Sequence, residues 1–280
     1  MYVSVVSPVN VATVRLITAT VCTMAAAVPF PNLSNLNVLT AERHPRRALS
    51  ASERVGDGVY CLDKRNDIDP CRSYVVLKRA AIVATAQEFD EAEVYFQTVV
   101  EDTPKMFGHP VTRRQCTFGS VKYGQYKLHP NWAAWPSLVH RAIAATQVFA
   151  AALGISNAEE YNSAQGNYYE DGGAGVNAHS DDEPQLVPGA PIFSYTFLKH
   201  NDNARAREFV IKRKPHPASG TEAIDPTTGG VNIRLESGDL LVMAGDMQAD
   251  FNHELPKLKG EAEGRCAPRL NFTVRRFVAV

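Results

Sequence analysis

Apolar and polar positions divide the chain into two textures. From Ala86 to Val100, Phe89, Ala92, Tyr95, Phe96 and Val99 recur near one face at helical spacing, and Asp102-Thr103-Pro104 ends the pattern. Leu138 to Leu153 repeats it in an alanine-rich stretch carrying Val139, Ile143, Val148 and Phe149, closed by Gly154. These stretches predict two helices. Ahead of them, from Ser73 onward, the chain reads as folded, with Tyr74-Val75-Val76-Leu77 as a short apolar run. Beyond Gly154 the period shortens to two. Ile192 to Leu198, Glu208 to Lys212, Val231 to Leu235, Leu240 to Met243 and Arg269 to Val280 read as short strands separated by turn residues. The 215–230 stretch, with Asp225-Pro226 and Gly229-Gly230, reads as a hairpin-type excursion. Helices followed by a run of strands predict an α+β chain with an all-β core, barrel or sandwich.

The first 41 residues have no acidic residue, and Leu16 to Phe30 is mostly apolar, ending near Ala25-Ala26-Ala27. Three readings stay open: a signal or transit segment, a disordered leader, or a start at Met24. Arg43 to Gly58 is polar and Arg-rich and reads as a linker. Residues 1–55 are thus leader and linker, and 56–280 one domain.

Charge and cysteines narrow the function classes. A formal net charge of −1 excludes a globally basic nucleic-acid coat but leaves room for a local basic groove. With 45% apolar and 21% charged residues, the chain has the composition of a globular protein. No apolar run reaches the ~18 residues of a membrane span. Cys22, Cys61, Cys71, Cys116 and Cys266 are odd in number and contain no Cys-x-x-Cys pair. A zinc ribbon or disulfide scaffold is disfavoured, and a reducing compartment is the simpler reading.

The chemistry concentrates downstream. On a strand, His179 and Asp181 are two apart and share a face, so both can reach one ion. With His253 they make two imidazoles and a carboxylate, the ligand type of a non-heme Fe(II) facial triad. Arg269-Leu270-Asn271-Phe272-Thr273-Val274-Arg275 puts Arg269, Asn271, Thr273 and Arg275 on one strand face. Two arginines facing a core are costly unless an anion meets them, and a guanidinium fork suits a carboxylate.

Read in order, Asn167/Tyr169, His179/Asp181, His253 and the alternating Arg269 to Arg275 motif resemble the AlkB family of Fe(II)- and 2-oxoglutarate-dependent dealkylases. The resemblance covers roughly Tyr74 to Phe277. It implies a double-stranded β-helix (jelly-roll) core over 161–280, preceded over 56–160 by helices and a nucleotide-recognition lid. It implies that His179, Asp181 and His253 hold Fe(II) and that Arg269 pairs with the distal carboxylate of 2-oxoglutarate. Asn167, Tyr169, Asn271, Thr273 and Arg275 would complete that pocket, and O₂ would be the second co-substrate.

The resemblance is to the DNA-repair members in particular. Met106-Phe107-Gly108-His109 sits where those members carry a hairpin with an apolar tip, so Phe107 would wedge into a base stack. Arg113 and Arg114 would contact phosphates. Tyr123 and Tyr126 would offer stacking faces. The repair pattern has an aromatic residue where this chain has Leu128, which leaves open which of the three lines the pocket. Asp182 and Glu183 match the repair-type His-x-Asp-Asp-Glu and would position a cationic methylated base. Lys212-Arg213-Lys214, Arg113-Arg114 and Arg275-Arg276 would form a local groove for a phosphate backbone. The implied reaction is oxidative demethylation of 1-methyladenine- and 3-methylcytosine-type lesions in DNA, releasing formaldehyde, succinate and CO₂. The implied enzyme is a monomer with no membrane partner, nuclear or cytoplasmic, with organellar targeting by the leader left open. Two other readings stand beside it: the same chemistry on RNA or a protein side chain, and a catalytically silent nucleic-acid-binding module.

Overall fold

The computed structural model describes residues 57–62, 72–100, 105–106, 109–110, 112–121, 127–215 and 231–278. The leader, the linker up to residue 56 and the excursion at 216–230 lie outside them. Among the described residues, a strand precedes the Ser73 run where the sequence showed none. Strand β1 (Gly58–Cys61) pairs antiparallel with β2 (Ser73–Lys78). Four residues next to a polar linker are too few to display a period.

Helix α1 (Ala86–Thr98) stops two residues short of the predicted Val100. Its start is a capping box: Glu88 N–H donates to the Thr85 hydroxyl at 3.2 Å, and Thr85 N–H donates to the Glu88 carboxylate at 2.9 Å. Strands β3 (Lys105–Met106) and β4 (His109–Pro110) pair as a hairpin. Next come β5 (Arg114–Phe118), β6 (Lys127–His129) and α2 (Ser137–Ala152). Arg141 of α2 donates to Glu88 at 2.6 and 2.7 Å, tying the two helices together.

The remaining chain is mostly strand. These are β7 (Ser163–Tyr169), β8 (Val176–His179), β9 (Ile192–Leu198), β10 (Glu208–Arg213), β11 (Val231–Arg234) and β12 (Leu240–Gly245). A one-turn helix α3 (Met247–Asp250), β13 (Phe251–Leu255), a short α4 (Glu261–Gly264) and β14 (Arg269–Arg275) complete it. The predicted last strand stops at Arg275 rather than Val280; beyond it the backbone leaves β7 and β9 and bonds instead to residues 185–187.

The large sheet has the order β1-β2-β12-β9-β14-β7-β5-β6, and the small sheet β11-β10-β13-β8. The segments before and after residue 160 therefore share one sheet: β1, β2, β5 and β6 flank the four strands supplied by the second half. The architecture is the predicted jelly roll with helices.

Period-two alternation sends each large-sheet strand two ways. On one face, Phe193, Tyr195, Phe197, Leu270, Phe272 and Val274 join Phe89, Phe96, Leu138, Val139 and Ile143 of α1 and α2 in the main apolar core. Gly166 is part of that packing: a Cβ there would lie 2.6 Å from Phe96 Cζ and 2.7 Å from Phe118 Cε2. On the other face, Val75, Leu77, Leu241 and Met243 meet Phe209, Ile211, Ile233 and Phe251 of the small sheet. That second core occupies one end of the space between the sheets. At the β14–β7 end the inward residues are polar, and a cavity opens there.

Candidate active site

β14 supplies the cavity's polar wall. Arg269, Asn271, Thr273 and Arg275 all line it, and all four are buried. The register sets Arg269 opposite Tyr169, Asn271 opposite Asn167 and Thr273 opposite Gln165, so β7 extends the same wall. The cavity has a volume of about 820 Å³ and includes His179, Asp181 and His253 on its far side.

The two histidines come from neighbouring strands. His253 pairs with His179 across β13 and β8, and their rings lie 4.3 Å apart. His253 sits within β13. Its phase in Phe251-His253-Leu255 is the buried one, with Asn252 and Glu254 facing away. Between His253 and Leu255 the ladder skips: two steps on β13 match three on β8. Such a bulge re-aims side chains at a strand end. Asp181 lies beyond β8, so no ladder holds it. Arg275 Nη2 donates to its Oδ2 at 2.7 Å, and its backbone N–H donates to Gln248 Oε1 at 2.9 Å.

The three groups can serve as ligands. Their nearest donor atoms all lie within 4.8 Å of one another. His179 Nδ1 is 2.9 Å from the Asn177 carbonyl, which makes Nδ1 the protonated nitrogen and leaves the Nε2 lone pair available. That Nε2 is 3.6 Å from Asp181 Oδ1. Burial works to raise the Asp181 pKa, but Arg275, His253 and His179 outweigh it and hold the carboxyl well below the usual range. Burial, against the pull of Asp181, keeps His253 neutral down to about 3. At neutral pH the site therefore offers one carboxylate and neutral imidazole, the donor set that suits ferrous iron. Phe209 stacks on His253 at 5.4 Å and 27°, walling it from the apolar core.

Arg269 is a buried cation, 3% exposed, whose hydrogen bonds go to neutral groups. Nη2 donates to the Thr196 hydroxyl at 2.9 Å, and its guanidinium lies 5.1 Å from the Tyr169 ring centre. Burial draws its pKa down to about 10, with Tyr169 acting the other way, so it stays charged at neutral pH. A buried guanidinium facing a cavity with only neutral partners fits an anionic carboxylate. Asn271 is fixed by Ser194 Oγ and the Tyr195 carbonyl at 2.9 and 2.8 Å, and Thr273 donates to Asn271 Oδ1 at 3.1 Å. Asn167 reaches Asn271 at 3.5 Å. Arg275, expected to complete the anion pocket, instead bonds Asp181 and, at 2.8 Å, Gln165.

The substrate-side residues divide. Glu183 lines the cavity. Asp182 is not among the lining residues: its side chain is 66% exposed, accepts from Ser180 Oγ at 2.9 Å and lies 3.8 Å from Lys214 Nζ. Arg113 and Arg114 do not form a paired phosphate-facing surface. Arg113 is buried in the cavity wall, donating to Asn167 Oδ1 at 3.0 Å and the Gly175 carbonyl at 3.1 Å. Arg114 points the opposite way, to the Val100 carbonyl at 3.2 Å. Strand alternation separates adjacent residues in this way. The Lys212-Arg213-Lys214 run is also engaged within the fold: Lys212 with Glu254, Arg213 over the Phe251 ring, Lys214 with the Gln248 carbonyl. Leu128 pairs with Thr117 in the sheet and is not among the cavity-lining residues. Phe107, Tyr123 and Tyr126 lie outside the described residues, although β3 and β4 form the hairpin expected around Phe107.

Sequence reasoning missed Gln165, Ser194, Thr196, Phe209 and Gln248. Ser194 and Thr196 had a usable signal, being polar residues alternating with Phe193, Tyr195 and Phe197.

The profile of the 2OG-Fe(II) oxygenase superfamily matches residues 77–275. The chain belongs to that family. Among its relatives is a DNA oxidative demethylase, ALKBH2 of Bos taurus, 25% identical over 85% of this chain and 80% of the relative. The human ALKBH2 is 27% identical over 74% of this chain and 73% of its own length. Alpha-ketoglutarate-dependent dioxygenase alkB homolog 3 of Mus musculus is 36% identical over 41% of this chain, which spans 36% of that relative. A solved structure of OsALKBH1 superposes on 72% of this chain and 97% of its own, at 18% identity and a TM-score of 0.43. Within the 2OG-Fe(II) oxygenases, the chain is similar to AlkB-type proteins, and the family's cofactors are Fe(II), 2-oxoglutarate and O₂.

Proposed function

We propose that this oxygenase removes N-linked methyl groups from bases in DNA, with cationic lesions of the 1-methyladenine and 3-methylcytosine type as substrates. The observation that carries the reading is the joining of two sites in one cavity: a His179–Asp181–His253 cluster, with Asp181 and His253 buried and His179 half-buried, and a buried Arg269 that lacks an anionic partner in its hydrogen bonds. His179, Asp181 and His253 would hold the metal, and Arg269 the distal carboxylate of 2-oxoglutarate. Asn167, Tyr169, Asn271 and Thr273 line the same wall and would orient that carboxylate. Arg275 would act one step back, keeping Asp181 ionised and oriented beside the two histidines.

Bound iron with its keto-acid and O₂ supplies the oxidising equivalent for C–H hydroxylation, as the family's cofactors do. The protein orients the substrate and keeps the site dry. Hydroxylation of an N-methyl carbon gives a hemiaminal that collapses to formaldehyde and the unmodified base. The DNA assignment is supported by similarity to the ALKBH2 relatives, which are DNA oxidative demethylases. Glu183 in the cavity and the exposed Asp182 beside it in the chain would supply negative charge to a cationic base. Phe107, which lies between β3 and β4 in the sequence, would act as the wedge, and Tyr123 and Tyr126 as stacking faces. In this reading 56–160 carries the recognition lid and 161–280 the catalytic core.

The test is formaldehyde release from methylated oligonucleotides supplied with Fe(II) and 2-oxoglutarate, in parallel on duplex DNA, single-stranded DNA and RNA. Release from DNA by the wild type and none by His179→Ala is expected. Turnover restricted to RNA would reassign the substrate. Identical background from both proteins would defeat the reading.

A further inference from the structure

Asp181 differs from the two histidines in how it is held. Both histidines belong to strands and are placed by a ladder, whereas Asp181 follows the end of β8. Its carboxylate is oriented by Arg275, but a carboxylate also needs a fixed Cα. That anchor comes from Gln248 on α3, between β12 and β13. Gln248 Oε1 accepts the Asp181 backbone N–H at 2.9 Å. The amide orientation is unambiguous: Nε2 points at the thioethers of Met243 and Met247, at 3.5 and 3.8 Å, leaving only Oε1 for the N–H. Gln248 is itself held, because Lys214 Nζ donates to its backbone carbonyl at 2.9 Å.

We propose that Gln248 is a positioning residue for the metal site, fixing the backbone of Asp181 so that its carboxylate meets the two imidazoles. The inference rests on the metal-binding reading of His179, Asp181 and His253. Partners that orient ligands in this way typically change metal affinity about 10- to 100-fold when removed. A chain past a strand end has no ladder to restore its geometry, so losing one 2.9 Å bond there matters more than it would inside β8 or β13.

The decisive comparison is wild type, Gln248→Met and Gln248→Glu. Methionine keeps the length and volume but removes the strong acceptor, and glutamate retains an acceptor oxygen. Co(II) alone is titrated into each metal-free protein, with affinity and the d–d absorption spectrum read together. Amide hydrogen exchange at Asp181 is measured without metal. For Gln248→Met we expect about tenfold weaker Co(II) binding, an altered spectrum and faster Asp181 exchange, with an unchanged Tm. Gln248→Glu should recover most of the affinity and the exchange protection. Gln248→Met binding within twofold of wild type, with the same spectrum, overturns the inference while leaving the function reading intact. Gln248→Glu as weak as Gln248→Met also overturns it. A wild type that takes up no Co(II) overturns this inference and the metal site beneath it.

Discussion

The two faces of the large sheet are made from the same strands and are almost equally buried, yet they do opposite things. On β14, Leu270, Phe272 and Val274 face the helices, and Arg269, Asn271, Thr273 and Arg275 face the cavity, all seven buried. On β9, Phe193, Tyr195 and Phe197 face the helices, and Ser194 and Thr196 the cavity wall. The helix face gains from dispersion and apolar burial. The cavity face sequesters cations and amides, which is unfavourable until each finds a partner. Burial therefore does not distinguish scaffold from site here; polarity at matched burial does.

Substitutions sharpen this contrast. The largest expected effect is on the helix face. Phe272→Ala should cost about 3–5 kcal/mol in denaturant unfolding, and a loss under 1 kcal/mol would remove that face's claim to be the scaffold. On the cavity face, Arg269→Met should leave Tm unchanged or raise it, because an apolar side chain replaces a desolvated cation. Its binding of 2-oxoglutarate, measured calorimetrically with Mn(II), should weaken on the order of 100-fold, about 2.7 kcal/mol. Unfolding of Arg269→Met with intact affinity would reverse the assignment of the two faces. The smallest effect is Gly166→Ala, where the new methyl meets Phe96 and Phe118. A cost of about 1–3 kcal/mol with ligand affinity retained is expected from overpacking, and differential scanning calorimetry reads it.

Much of this division was legible from alternation alone. The period of two from Arg269 to Arg275 placed both arginines on one inward face, where the structure has them. Ile192–Leu198 was read with its true bounds. The lone histidine in the buried phase of Phe251-His253-Leu255 was there to be read, but the polar Asp250, Asn252 and Glu254 around it and Pro256 after it masked the strand. What stayed hidden depends on contacts between distant segments. Arg113 looked like an outward phosphate contact because its neighbour is also arginine; only the approach of Asn167 and Gly175 shows it facing inward. Lys212 and Lys214 looked available because Glu254 and α3 are far along the chain. Gln248 carries no motif, and its role appears only where α3 touches the end of β8.

The Arg275–Asp181 pair has a consequence for how the site fills. The carboxylate of the triad is already neutralised by a guanidinium 2.7 Å away, so a divalent ion bound beside it would bring most of its double charge into the interior. A keto-diacid carries two negative charges. Each guest thus lowers the electrostatic cost of the other, and thermodynamic reciprocity makes their loading mutually cooperative.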